Sequence, residues 1–327
     1  MNPTVLVTGG AGFIGRETVR KLLSNDYPVI AYDLTEQIAR HQDFFETLDS
    51  PRLTVKAGSI LDRTSLRSAF QGAQVVLHLA AMLGVRLTED NQLACLESNI
   101  NGTDYVLDAC VSHGVQKVVV ASSSEVYGEP TQNPVSESNE TKGKSVYAIS
   151  KMAGEELAKG YHQLFPQLQY TITRFFNTYG EGQVAQFVLA RFVRNVLEGR
   201  NPVVYGTGKQ VRSYCHVDDT TDALIEIIEN PISNGKVYNI GNSTQVTTLA
   251  ELAQKVIDIL APDKGISVEI LGDFEGSDRI PEREVHTRYC DTSLAMTELG
   301  FEPKISIEEG IQRIAAHGQS YDNWTGL

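Results

Sequence analysis

Tyr147 and Lys151 stand four residues apart in a stretch whose pattern predicts a helix, which puts both on one face. A tyrosine hydroxyl loses its proton at about pH 10 in water, but a neighbouring ammonium favours the phenolate, so the pair can take a proton from a hydroxyl. Tyrosine and lysine at this spacing are common by chance. The pair gains meaning from the hydroxyl run Ser122-Ser123-Ser124 and from a glycine-rich stretch near the start, Thr8-Gly-Gly-Ala-Gly-Phe-Ile-Gly15. That stretch follows the apolar run Val5-Leu6-Val7 and opens an amphipathic segment from Phe13 to Leu23, so it sits where a strand turns into a helix. Gly9, Gly12 and Gly15 allow a tight turn, close approach of backbone to a pyrophosphate and close packing of helix on strand. The helix start then offers free N–H groups and its positive dipole end to the phosphates. A second apolar run, Val29-Ile30-Ala31-Tyr32, ends in Asp33, eighteen residues after Gly15. A carboxylate there accepts bonds from the adenosine ribose and repels a 2′-phosphate, so the expected cofactor is NAD, not NADP. With NAD in place, Tyr147 is expected to remove a proton from a sugar hydroxyl while hydride leaves the same carbon. Lys151 holds the nicotinamide ribose and favours the phenolate, and Ser123 hydrogen-bonds the reacting oxygen.

These residues need elements to hold them. The first half alternates strand and helix in the rhythm of a parallel sheet covered on both faces. Leu53–Ala57 reads as a third strand leading to Ile60 and Asp62; Asp62 either reaches the adenine ring or caps the next helix. Val75–Ala81 reads as a buried central strand, with Leu79, Ala80 and Ala81 leaving room for the cofactor and His78 expected as a packed, hydrogen-bonded core residue. A helical pattern from Leu93 to His113 is interrupted at Asn99 and Gly102, and a fifth strand, Lys117–Ala121, runs into the serines. The expected cofactor wall is Gly9, Gly12, Phe13, Ile14, Gly15, Asp33, Ile60, Asp62, Leu79, Ala80, Ala81, Tyr147 and Lys151. After the sixth strand, Tyr170–Arg174, and the run to Gly180, the alternation loosens. The expected fold is α/β: a Rossmann-type doubly wound parallel sheet over 1–180, with 211–241 returning to it, and a smaller C-terminal α/β substrate-binding lobe from 181–210 and 242–327. Helices at Leu249–Leu260, Leu294–Leu299 and Ile307–His317 are expected to complete that lobe.

At 327 residues the chain has room for two closely joined units with ample core. Its net charge of −13 and the absence of a basic stripe argue against nucleic acid as a partner, so an anionic ligand must be met by a few local arginines. Cys95, Cys110, Cys215 and Cys290 show neither metal-ligand nor paired spacing and read as small buried thiols, so no metal is expected. With no leader-like start and no apolar run of membrane length, a cytoplasmic protein without a membrane partner is expected.

Taken together, Thr8–Gly15, Asp33, Asp62, His78-Leu-Ala-Ala81, Ser122-Ser-Ser-Glu-Val-Tyr-Gly128, Tyr147-Ala-Ile-Ser-Lys151, Arg174-Phe-Phe-Asn-Thr-Tyr-Gly180 and Arg212 with Val217-Asp218-Asp219 resemble the extended short-chain dehydrogenase/reductase family, in particular its nucleotide-sugar epimerases and dehydratases. The resemblance spans nearly the whole chain and implies a nucleotide-diphosphate sugar oxidised at C4. It implies that Asn177 contacts the substrate diphosphate and that Arg212 pairs with phosphate. Arg288 is a weaker phosphate candidate, with Arg279 and Arg283 as competitors, and Ser124, a substrate-binding candidate, stands where some dehydratases have an aspartate as the acid. Glu125 departs from the small or hydroxyl residue usual in 4-epimerases and resembles the glutamate of 4,6-dehydratases and UDP-glucuronate decarboxylases. It is open between a base for the C5 proton and a side chain that only bonds backbone or water. A 4-epimerase leads; a dehydratase, a C5-epimerase or a decarboxylase follows, the last with Lys142 or Lys144 on the carboxylate. A non-catalytic NAD-binding regulator is disfavoured, since it needs no acid/base pair. The resemblance also implies a homodimer paired through the helices at Leu93–His113 and Tyr147–Phe165.

Overall fold

The computed structural model describes residues 2–274 and 281–318. Six strands follow the expected rhythm: β1 (Val5–Thr8), β2 (Val29–Asp33), β3 (Leu53–Ala57), β4 (Val75–His78), β5 (Lys117–Ser123) and β6 (Gln169–Phe175). A seventh, Lys236–Ile240, closes one edge, and the spatial order is Lys236–Ile240, β6, β5, β4, β1, β2, β3, with every pairing parallel. The order reverses between β1 and β4, the kind of place where open parallel sheets hold ligands beyond their strand ends.

Alternation along the strands sends neighbouring side chains to opposite faces, and both faces are buried. Val5 and Val7 point into one core with Val19 and Leu22 of helix α1 (Phe13–Ser24) and with Ala223 and Leu224 of the helix Val217–Glu229. Leu6 and Val76 point into the other, with Val106 and Leu107 of the helix Gly102–Ser112 and Ala158 of the helix Val146–Leu164. A third core lies apart, between the helices Val188–Leu197, Leu249–Leu260 and Ile307–Gly318.

Two parts of the chain fall on a different side from the one expected. Val211–Ser213 does not return to the large sheet; it pairs with Val246–Thr248 and Thr287–Arg288 in a small sheet of its own. The return begins later, with the helix Val217–Glu229. Conversely, the helix Ser293–Leu299 does not complete the small lobe: Ala295 and Leu299 lie in the same core as Leu224 and Tyr238. In both cases an apolar pattern fixes that a face is buried, not which neighbour buries it.

Candidate active site

The strand ends open onto a cavity of about 1760 Å³, lined from the first glycine turn through β5 to the small lobe. Small-ligand sites are typically some 300–1,000 Å³, so this one has room for a dinucleotide and a second nucleotide-sized molecule side by side. Tyr147 enters it from the first turn of the helix Val146–Leu164, whose start is capped by Ser145 Oγ accepting from Ala148 N at 3.1 Å. One turn on, Lys151 is buried; its Nζ donates to Ala121 O at 2.8 Å and lies 5.8 Å from the Tyr147 ring centroid. Burial pushes the Lys151 ammonium down to about 8, with Cys95 and Glu155 acting against that fall. Burial also raises the Tyr147 hydroxyl above its usual value, the charge of Glu125 adds to the rise, and a bond with Ser123 opposes it. Without a further positive charge, then, Tyr147 stays protonated. Ser123, Ser124 and Glu125 share the cavity wall with the pair, and Ser123 Oγ accepts from Glu125 N at 3.2 Å.

Residues 5–241 match the model of the NAD dependent epimerase/dehydratase family. The chain belongs to that family. A putative UDP-glucose 4-epimerase of Methanocaldococcus jannaschii is 32% identical over 315 residues, covering 95% of this chain and 96% of that protein. A dTDP-glucose 4,6-dehydratase of Streptomyces griseus is also 32% identical, covering 99% of this chain and 96% of its own. Among solved structures, the UDP-glucuronic acid 4-epimerase of Bacillus cereus in complex with UDP-glucuronic acid and NAD superposes with a TM-score of 0.85 at 29% identity, over 97% of this chain and all (100%) of that one. The chain is accordingly an NAD-dependent enzyme of the epimerase/dehydratase class.

The glycine turn of this epimerase/dehydratase fits NAD. Gly12 caps α1 with no side chain, so no protein group takes up the first helical N–H groups from that position. Gly9 has φ +73°, and a Cβ there would stand 2.7 Å from Ala80 N; a Cβ on Gly15 would stand 1.9 Å from Gly9 O. Only glycine permits this closeness of turn, helix and β4. Asp33 ends β2 with Oδ2 accepting from Ala11 N at 2.9 Å and Oδ1 from Leu34 N at 2.8 Å; burial raises its carboxyl above the usual value, and these N–H bonds act against that. Phe13, Ile14, Ile60, Leu79, Ala80 and Ala81 line the cavity as expected positions for the cofactor. Asp62 does not: its Oδ1 accepts from Thr64 N at 3.0 Å and Ser65 N at 3.3 Å, so it caps a helix, while Ile60 and Leu61 form the wall there. His78 is a core residue, held between Thr8 Oγ1 at 2.8 Å and Thr103 Oγ1 at 3.0 Å and pushed down to about 3 by burial.

The arginines divide. Arg212 lines the cavity but also donates to Val285 O at 2.5 Å and Val211 O at 2.9 Å, anchored in the small sheet. Arg288 does not line it: buried, it pairs with Glu125 and donates to Gly128 O at 3.3 Å. Arg283 lines the cavity and pairs with Glu89; Arg279 lies outside the described residues. Asn177 lines the cavity with φ +31° and its Nδ2 on Ser213 O at 2.9 Å. Lys142 pairs with Glu140 at 2.8 Å, and neither it nor Lys144 reaches the cavity wall.

Sequence reasoning missed Asn99. The interruption seen there is a π turn, Glu97–Asn101, and the buried carboxamide accepts from Met82 N at 2.8 Å and donates to Met82 O at 2.9 Å and Ser150 Oγ at 3.0 Å. Asn99 thus ties the loop after β4 to the turn carrying Lys151. A polar residue on the apolar face of a helix that also breaks rhythm was the available signal.

Proposed function

We propose that this enzyme is a nucleotide-diphosphate-sugar 4-epimerase. The observation that carries the reading is the meeting of Ser123, Tyr147 and Lys151 on one wall of a cavity large enough for a dinucleotide and a nucleotide sugar. Gly9–Gly15 and Asp33 would hold NAD, which when bound would supply the hydride acceptor for C4. Tyr147 takes the C4 hydroxyl proton, Lys151 steadies the phenolate by its charge, and Ser123 donates to the sugar oxygen. Asn177 and Arg212, which line the cavity, are assigned to the diphosphate. At the end of the turnover Tyr147 gives the proton back to the sugar oxygen.

A second reading, C5 or C6 chemistry after the same oxidation, is favoured by Glu125, a residue of the cavity wall whose charge acts on Tyr147. It would make the enzyme a 4,6-dehydratase, C5-epimerase or decarboxylase. Against it, Glu125 Oε1 is engaged by the buried Arg288. Incubation with UDP-glucose, UDP-glucuronate, dTDP-glucose, GDP-mannose and CDP-glucose, followed by mass and NMR analysis, separates the readings. Unchanged mass with inverted C4 supports the 4-epimerase; loss of water or carbon dioxide overturns it.

We further propose a cytoplasmic homodimer; no helix among the described residues is long and apolar enough to cross a membrane. Leu93, Ile149 and Leu164 are 83%, 52% and 75% exposed on the helices expected to pair.

A further inference from the structure

Beneath the cavity floor lies an ion pair that the reaction as described does not use. Glu155, one turn beyond Lys151 on the same helix, and Arg174 in β6 are 3% and 5% exposed. Arg174 Nε donates to Glu155 Oε1 at 2.8 Å and Nη2 to Oε2 at 2.6 Å, a two-pronged pair. Ser122 Oγ donates to the same Oε1 at 2.5 Å. Arg174 Nη1 donates to the Tyr127 hydroxyl at 2.8 Å, which donates in turn to Asn239 Oδ1 at 2.7 Å. Taking two charges out of water is costly, and apolar side chains of similar volume commonly fill such a place at least as stably. What the pair supplies instead is fixed geometry.

We propose that Glu155 is a positioning residue for the reaction: clamped by Arg174 and Ser122, it locks the end of β5 onto the helix Val146–Leu164 so that Ser123 and Lys151 meet the sugar hydroxyl in one frame. The inference rests on the reading of Tyr147 and Lys151 given above. Ala121, whose carbonyl holds Lys151 Nζ, Ser122, which Glu155 holds, and Ser123, which faces the cavity, are consecutive residues of β5. A slip of that strand end therefore moves the hydroxyl donor and the lysine anchor together. The carboxylate also acts through charge. Lys151 is faced by Cys95 from the helix Gln92–Leu96, by His78 from β4, which burial keeps neutral, and by Tyr147 and Glu155 from its own helix. Of these, Glu155 is the carboxylate that favours the ammonium.

The test is the pH profile of NADH formation on mixing holoenzyme with the most active sugar of the panel above. In the wild type the rate is expected to fall on the alkaline side, as the Lys151 ammonium, already lowered by burial, loses its proton. Glu155→Gln leaves Arg174 uncompensated and moves that limb to lower pH, by about one unit, because a nearby like charge disfavours the ammonium. Arg174→Met moves it to higher pH, and the double variant, neutral again, brings it back towards the wild type. A merely structural pair lowers rates and melting temperatures but leaves the limb in place. An unmoved limb in both folded single variants, checked by circular dichroism, would overturn the proposal; should Glu155→Gln not fold, an unmoved limb in Arg174→Met does so. Lys151→Met serves as the separate control. If it retains the wild-type rate and limb, the reading of the catalytic pair has failed, whatever Glu155 does.

Discussion

Burial alone would make Tyr147 a poor base and Lys151 a weak cation, since the tyrosine is raised above its ordinary value and the lysine lowered to about 8. The two shifts have one cause, desolvation of the charged form, but a positive charge arriving in the cavity answers only the first: it favours the phenolate directly, while the ammonium depends on the carboxylate of Glu155. Oxidised nicotinamide carries that charge. The cofactor-free protein is therefore expected to ionise Tyr147 above pH 10, about the free value, and the NAD complex at lower pH. Ultraviolet difference titration of the wild type against Tyr147→Phe reads this directly. The same substitution should slow NADH formation by about two to four orders of magnitude, the usual worth of a positioned proton acceptor. Glu125 is the residue on which the two readings of the reaction part. Glu125→Gln in a 4-epimerase should change turnover by less than about tenfold, since what is lost is one charged bond to Arg288. In an enzyme that draws on C5, the variant should accumulate NADH and stall. Solvent deuterium supplies the independent measure: its appearance at C5 of the product would eliminate the simple epimerase.

Closeness of packing decides what each glycine of an element does. At the β1–α1 turn a Cβ on Gly15 would stand 1.9 Å from Gly9 O, a distance that no relaxation of side chains relieves because the obstacle is backbone. Gly15→Ala should cost at least about 1–3 kcal/mol and weaken NAD binding as the turn opens, which thermal unfolding and calorimetry would show. Gly154, on the helix Val146–Leu164, is the opposite case. Its nearest neighbours would be Thr103 Cγ2 and Oγ1 at 3.8 and 3.9 Å, ordinary contacts, so Gly154→Ala should raise stability by up to about 1 kcal/mol through helix propensity. Both glycines are buried and helical, and sequence alone treats them differently only because Gly15 sits in a motif. That difference describes what was legible here. The strands, the turn, Asp33 and the Tyr147–Lys151 pair were readable because they are local patterns of fixed period or spacing. The partners of Asn99, the pairing of Glu155 with Arg174 and the diversion of Arg288 to Glu125 were not. They join residues up to 163 positions apart, through contacts that no periodicity encodes.

At the scale of the molecule the third core must be joined to the two that flank the sheet, and one joint passes close to the cofactor turn. Arg16, in the first turns of α1, donates from Nη1 to Ala11 O at 2.7 Å, within the glycine loop, and from Nη2 to Gly182 O at 3.2 Å, in the loop that follows the large sheet's β6. Arg16, Ala11 and Gly182 all line the cavity. The guanidinium thus straps the turn expected to hold the pyrophosphate to the segment leading into the small lobe. A second set of ties runs alongside it: Arg313 of the helix Ile307–Gly318 pairs with Asp218 at 2.9 Å, and Arg20 of α1 with the same carboxylate at 3.2 Å. The strap has a kinetic consequence. An enzyme that must give its hydride back to the same sugar gains from keeping its cofactor between the two half-reactions, and a bridge across the cofactor turn slows escape by the free energy needed to open it. Two hydrogen bonds from a charged donor, each worth about 1.5 kcal/mol net at the low end, place the acceleration on losing both at roughly a hundredfold. Arg16→Ala should therefore release NAD that the wild type retains through gel filtration, measured as dinucleotide recovered after denaturation. Arg16→Lys should lie between the two, since an ammonium keeps the charge but lacks the planar fork that spans both carbonyls. Equal NAD content and equal dissociation rates in all three proteins would show that the strap joins the lobes without holding the cofactor.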